Sequence, residues 1–332
     1  MLLTIGITFW DKDYTLCDNL LTQIRERVQV PYELIIIDST TGNKLGDKAS
    51  YAFGHNAKQF AARYKIIKLA KGDYIWFIDG DDEVVGLDSS LLYKPFDMLC
   101  TSFISSGREC HVKEGRLKVP SDCWKLIQED IAQALWNKII RTNLFKDADR
   151  YIDNPELAVV SLEDTFYVAL ALKRARYIEL KDTVIYKKNE GFSDMPRMTC
   201  EAFDNLTTGF EDILRLFAKL GYDVEEIKES HFHYFMYFMH DSVDPGYIAG
   251  RLIELFGNLD FWQKEYYMVI SRISREADYK TFRGAFIKRF GEENIPKQHY
   301  TEYLSDGSAN TVYYEAVPVF GILDKQCPPD LE

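Results

Sequence analysis

Three short apolar runs, separated by two stretches of helical period, open the chain. LLTIGITFW (2–10) is β-rich and breaks into polar residues, and a helical pattern then runs from Thr15 to about Val28. YELIIIDST (32–40) is a second apolar strand that ends on an acid, Asp38. From Asn56 to Ala70, apolar or small side chains recur at Ala57, Phe60, Ala61, Tyr64 and Ile67, a spacing that lines one helical face, and Gly72 stops it. YIWFID (74–79) is the third strand. The order β-α-β-α-β, with near-continuous apolar strands, predicts a parallel sheet covered by helices on both faces.

Further on, FDMLCTSFISS reads as one strand, HVKEGRLKVP as a hairpin around Gly115, SLEDTFYVALAL (161–172) as a helix and YIELKDTVIYKK (177–188) as a strand. After about residue 198 the period is helical throughout. Phe203, Leu206, Phe210, Ile213, Leu214 and Phe217 form one stripe, closed by Gly221 as a helix stop. Four more helical stretches are expected near 224–240, 247–257, 261–276 and 280–290, and TVYYEAVPVF is either a strand packed back on the body or a tail. A length of 332 residues accommodates two domains. We expect an α/β domain over 1–195 and an α-helical C-terminal domain over 196–332, serving acceptor binding or oligomerisation.

Composition narrows the class. With 46% apolar and 28% charged residues the chain is that of a folded protein. The net charge of −12 opposes non-specific attraction to nucleic acid or anionic membrane, and it is unevenly spread: 26 Lys and Arg against 29 Asp and Glu in 1–195, 14 against 23 in 196–332. No apolar run reaches the ~18 residues of a membrane span, and no basic leader precedes a long apolar stretch, so a cytoplasmic protein is expected. The six cysteines are scattered, with no pair at the two-residue spacing of zinc ribbons or redox motifs, and read as reduced structural thiols.

The chemistry concentrates in DYIWFIDGDDEV (73–84), where an apolar strand runs straight into Asp79, Asp81 and Asp82. In open α/β sheets ligands bind beyond the carboxyl ends of the strands, and both Asp38 and the Asp79–Asp82 cluster fall there. Asp79-Gly80-Asp81 has the D-x-D form, two carboxylates about a tight bend, suited to a hard divalent cation that keeps positions open for phosphates. An EF-hand loop from Asp79 would need Gly and Glu where Val84 and Ser90 stand, and an aspartyl-phosphatase motif would need a hydroxyl residue where Asp82-Glu83-Val84 offers none. A solvated acidic turn competes, as does an acidic first helical turn for Glu163-Asp164. His231, His233 and His240 in HFHYFMYFMH read as aromatic core, since residues two apart on a helix point away from each other. Asn56, next to His55, reads as a helix N-cap. Lys173, Arg174, Arg176, Lys181, Lys187 and Lys188 form a basic cluster that is either a solvated face or a receiver for an anionic acceptor.

The stretch AARYKIIKLAKGDYIWFIDGDDEV (61–84) resembles the surroundings of the D-x-D motif in family 2 inverting glycosyltransferases, which have the GT-A fold. YELIIIDST is similar to the second strand of that family, WNKIIRTNLF (136–145) and SLEDTFYVALAL to its later segments, and TVIYKKNEGFSD to the strand and loop that close its acceptor side. The resemblance runs collinearly over roughly residues 1–195. It implies a GT-A-type, mostly parallel sheet and a metal-dependent inverting hexosyl- or pentosyltransferase using a nucleotide-sugar donor, most often a UDP-sugar. Residue by residue it implies Asp38 at the nucleotide base, Asp79 and Asp81 as the D-x-D holding Mn²⁺ or Mg²⁺, and Asp164 as catalytic base. Gly80 sits at the bend, with Arg63 at the diphosphate or base and Thr8 and Trp10 lining the donor pocket. Two departures stand out: Ser39 replaces the family's usual second acid, and ITFWDKD lacks the usual proline and asparagine after the first strand. Acceptors implied are a glycan, a lipid-linked precursor or a modified nucleic acid such as a hydroxylated DNA base. The competing classes are a catalytically silent nucleotide-sugar binding protein of the same fold and a nucleotidyltransferase, although no Gly-rich basic loop for a triphosphate is present.

Overall fold

The structure is a computed structural model that describes residues 2–9, 14–39, 45, 50–52, 59–120, 123–129, 131, 133–156, 162–189, 198–240, 242–303 and 309–315. The chain divides into two compact units, one of 1–194 with 208–224, the other of 195–207 with 225–332.

The first unit runs β1 (Leu3–Phe9), α1 (Tyr14–Arg27), β2 (Tyr32–Asp38), β3 (Tyr51–Ala52), α2 (Gln59–Leu69), β4 (Tyr74–Asp79), β5 (Glu83–Val84), β6 (Met98–Ser105), β7 (Arg108–Cys110), β8 (Gly115–Lys118), α3 (Trp124–Glu129), β9 (Lys138–Arg141), α4 (Glu163–Leu172) and β10 (Tyr177–Lys187). One sheet orders them β3-β2-β1-β4-β9-β6-β10-β5, with β7 added to β6 and β8 to β10. From β3 to β4 every pair is parallel, as the apolar pattern predicts; β9 then enters antiparallel to both β4 and β6, so the whole sheet is mixed.

Strand period decides what each face carries. Leu3, Ile5, Ile7 and Phe9 of β1 join Tyr74, Trp76 and Ile78 of β4 and Ile36 of β2 in one buried cluster under Cys17, Leu20 and Ile24 of α1. Alternate residues point the other way: Thr8 reaches Asp79, and Arg63 of α2 reaches the same carboxylate. Trp76 is anchored by an indole N–H donated to the Trp136 carbonyl at 2.7 Å.

The hairpin expected around Gly115 is not there. The chain turns at Ser106 and Gly107, both with left-handed φ, pairing β7 with β6, and the strand that begins at Gly115 joins β10 instead. The cysteines among the described residues are free thiols.

The helix α5 (Cys200–Leu220) buries the predicted stripe, and Gly221, at φ +81°, ends it in a backbone conformation that side chains with a Cβ rarely adopt. The chain continues with α6 (Val224–Ser230), α7 (Phe232–His240), α8 (Pro245–Leu255), α9 (Leu259–Ser271), α10 (Glu276–Phe290) and a hairpin of β11 (Lys297–Tyr303) and β12 (Ala309–Glu315). The single helix expected near 224–240 is two, broken at His231, whose ring Nδ1 lies 2.8 Å from the Ile227 carbonyl. Helix starts follow local chemistry: Asp244 caps α8 ahead of Pro245, and Asn258 caps α9. Phe232 meets Phe256 at 5.0 Å, Phe261 at 4.9 Å and Trp262 at 5.7 Å, the aromatic core expected of this segment. His231 is buried in it and His233 exposed, while the side chain of His240 lies outside the described residues. Among the described residues no helix is long and apolar enough to cross a membrane.

Candidate active site

The carboxyl ends of β1 and β4 meet at Thr8 and Asp79, which are paired in register. Gly80 continues from there by donating its N–H to the Thr8 carbonyl at 2.8 Å. A Cβ at Gly80 would lie 2.6 Å from the Phe9 ring and 3.0 Å from the Thr8 carbonyl oxygen, so the glycine is required by close approach to β1. Its φ is outside the left-handed region, so the bend does not depend on a glycine's backbone freedom.

Asp79 is the centre of a charged cluster on the α2 face of the sheet. Its Oδ1 accepts from Thr8 Oγ1 at 3.3 Å, Gln59 Nε2 at 3.2 Å and Arg63 at 3.0 Å. Arg63 is 1% exposed, and its guanidinium also reaches Glu163 at 3.2 Å and ion-pairs with Asp164. One buried cation therefore joins the end of β4 to the start of α4. Burial opposes the charge of Arg63, but Asp164, Asp79 and Glu163 outweigh it and hold its pKa above the ordinary arginine value. Burial raises Asp79, with the neighbouring carboxylates adding to the rise and Arg63 opposing it. Glu163 is pushed up to about 7, by burial first and the charge of Asp164 second.

Helix α4 starts from Leu162, which has φ +65° and makes no side-chain cap bond, and its first turn carries Glu163 and Asp164, where the helix dipole favours acids. Asp164 Oδ2 accepts from the Leu135 N–H at 3.3 Å. That loop is itself held from within: the fully buried Lys138 donates to the Ala134 carbonyl and to Asn137 Oδ1, and burial lowers its pKa to about 8.

The turn after Asp79 is clasped by β10 and the residue beyond it. Asp82, 5% exposed, accepts from the Tyr186 hydroxyl and from the Asn189 N–H at 2.8 Å, and the Asn189 side chain donates to the Asp81 carbonyl at 2.7 Å. Burial and then the charge of Asp79 push Asp82 to about 7. Tyr186 stacks on Trp136 at 4.8 Å. Asp81 and Asp82 line a cavity of 470 Å³ against α1.

Thr8, Arg63, Asp79, Gly80 and Asp164 are thus brought together, with Asp81 on the adjoining turn. Asp38 is not. It is level with Phe9 and shares that residue's face, and its buried carboxylate accepts from the Leu45 N–H at 2.8 Å. Beside it the Ser39 hydroxyl is buried with no hydrogen-bond partner among the described residues. Trp10, His55 and Asn56 lie outside the described residues. Glu163 and Asp82 stand in the acidic motifs but sequence assigns them no role, while Tyr186, Asn189 and Lys138 belong to no local motif with the residues they hold.

The basic cluster is dispersed along β10. Lys187 pairs with Glu83 near the D-x-D turn, whereas Arg174 pairs with Asp147 beyond the other end of the strand, and Lys181 is 4.0 Å from Glu114.

The donor set suits a hard divalent cation. The side-chain hydrogen bonds of Asp79 with described residues fall on Oδ1, and Asp81 follows two residues on; the described residues do not, however, group three metal-ligating side chains.

A sheet with parallel strands whose carboxyl edge gathers acids from the third long strand and a later helix is the architecture of the GT-A fold. Residues 18–147 match the model of glycosyl transferase family 2, and the chain is a glycosyltransferase. No curated protein matches it in sequence. Among solved structures it is similar to S. aureus TarS 1-349 in complex with UDP-GlcNAc, with 19% identity, 97% of this chain and 99% of that one covered, and a TM-score of 0.56. It is similar also to S. aureus TarS, with 18% identity, 96% of this chain and 60% of that one covered, and a TM-score of 0.52. At these identities the likeness establishes the fold.

Proposed function

We propose that the protein transfers a sugar, with inversion, from a UDP-sugar to an acceptor hydroxyl, with Asp164 as the base. The observation that carries this reading is Arg63, which holds the D-x-D acid and the acids of α4 on one buried guanidinium. Inverting transfer needs a group to take the acceptor proton on the face opposite the departing diphosphate, and two acidic sites with different tasks supply both ends of the displacement. Asp79 and Asp81 would hold Mn²⁺ or Mg²⁺, which when bound neutralises the leaving diphosphate. The uridine nucleotide is supported by the similar fold of TarS, solved with UDP-GlcNAc. Asp38 and Ser39, at the end of β2, would meet the base.

Glu163 is a second candidate for the base, because a carboxyl at about 7 is matched to proton transfer near neutrality. Incubation with UDP-sugars and Mn²⁺, with free UDP and the anomeric configuration of the product measured, tests the reaction. Asp164→Asn should lower turnover by ~10²–10⁴-fold with donor affinity nearly unchanged, and Glu163→Gln should cost much less. The reverse ordering moves the base to Glu163. If neither slows transfer, the acids of α4 serve the helix alone.

A further inference from the structure

A cavity of the first unit lies at the other edge of the sheet from the acids. It measures 780 Å³, the size of a small-molecule site, and is bounded by the end of α2, the turn into β4, the loop at Tyr93 and the residues after β9. Five residue steps along β4 separate its floor at Tyr74 from Asp79, roughly 17 Å at strand rise. No part of the transfer site contributes to it.

Its lining is cationic in a protein of net charge −12. Lys68, Lys71, Arg141 and Lys146 face one acid, Asp73, and that carboxylate already accepts from the Leu2 N–H at 2.8 Å. Lys146 forms no ion pair among the described residues, and Lys71 lies beside Glu33, which accepts its backbone N–H at 2.6 Å and interacts with its charge. Lys68 is held by Asp149 at 2.8 Å and Arg141 by Asp97 at 3.4 Å, but the first of these pairs is about half exposed on both sides, the kind that yields readily to a better anion. The floor is rigid: Thr142 donates its hydroxyl to the Gly72 carbonyl at 2.6 Å and its N–H to the Asp73 carbonyl at 3.0 Å. At the rim Tyr93 is 85% exposed, a large aromatic with no packing role.

We infer that this cavity is a second binding site, distinct from the donor site, for a small ligand bearing phosphate groups. Lys71 and Lys146 contact the phosphates, Lys68 and Arg141 exchange their surface acids for the ligand, and Tyr93 covers any planar or sugar ring attached to it.

Inorganic pyrophosphate is the probe, titrated calorimetrically into the full chain in chelator so that no divalent cation bridges it to the D-x-D acids. Saturable binding that weakens as salt rises is expected. Lys71→Glu with Lys146→Glu should weaken it roughly tenfold or more, while Asp81→Asn leaves it unchanged. The melting temperature of the double variant reports its folding, and Lys71→Ala with Lys146→Ala serves in its place if charge reversal unfolds the protein. With UMP as the probe, Tyr93→Ala should weaken binding, and it should leave pyrophosphate untouched. Absence of saturable binding, indifference to both lysine variants, or loss of binding in Asp81→Asn instead, overturns the proposal.

Discussion

Arg63 shows how far one side chain can organise a site. A guanidinium with five donors in a fixed fork can hold carboxylates from several directions, and an ammonium cannot. Arg63→Met should therefore leave Asp79, Glu163 and Asp164 buried against each other and lower stability by about 3–5 kcal/mol in denaturant titration. Arg63→Lys should recover part of that stability and less of the transfer rate, because one point charge does not set both acids. Equal stability of the methionine variant and the native protein would contradict this. The residue itself is legible in the sequence as a member of the helix before the D-x-D strand. Its partners are not, because they stand 16 and 100 positions away and no local pattern links them. Asp82 is a similar case: the acid is plain in the motif, but its burial depends on Tyr186 and Asn189, more than a hundred residues later.

At the scale of elements, the site depends on how closely β1 and the turn after β4 approach. Gly80→Ala puts a methyl group against the Thr8 carbonyl and the Phe9 ring, and backbone cannot give way as a flexible side chain can. A loss of about 1–3 kcal/mol is expected, together with slower transfer, since the turn that carries Asp81 must shift. Unchanged melting and activity would show the turn to be more compliant than this packing implies. The strands and helices were largely readable because their periods of 2 and 3.6 are local properties, and the stripe of α5 from Phe203 to Phe217 is buried as read. Pairing partners were less readable. Nothing in HVKEGRLKVP says that its second half pairs with β10, and nothing in WNKIIRTNLF says that its lysine is fully buried beneath the loop that meets Asp164.

For the whole molecule, the buried acids make stability depend on pH. Asp82 and Glu163 both titrate at about 7 in the folded protein, against ordinary values of 3.8 and 4.5. Unfolded, they release their protons from about pH 4; folded, they keep them until about pH 7. The folded state thus binds more protons across that window, and stability must fall as pH rises through it, levelling above. The melting temperature should drop between about pH 4 and about pH 7, and Asp82→Asn, which cannot ionise, should flatten part of the slope. A melting temperature that climbs over the same range would mean that these carboxyls are not held protonated by the fold.

The family-matched stretch ends at residue 147, yet several partners of its buried polar groups come later: Glu163 and Asp164 for Arg63, beside Asp79 within the stretch, and the donors Tyr186 and Asn189 for Asp82. A fragment cut at that point would keep the motif but leave Arg63 with Asp79 alone of its three acids and Asp82 without the hydrogen bonds of Tyr186 and Asn189. The catalytic half is accordingly not a cassette that recombination or protein engineering can transplant by its signature alone. During synthesis, too, the D-x-D strand waits: its turn can be clasped only once residue 189 has left the ribosome.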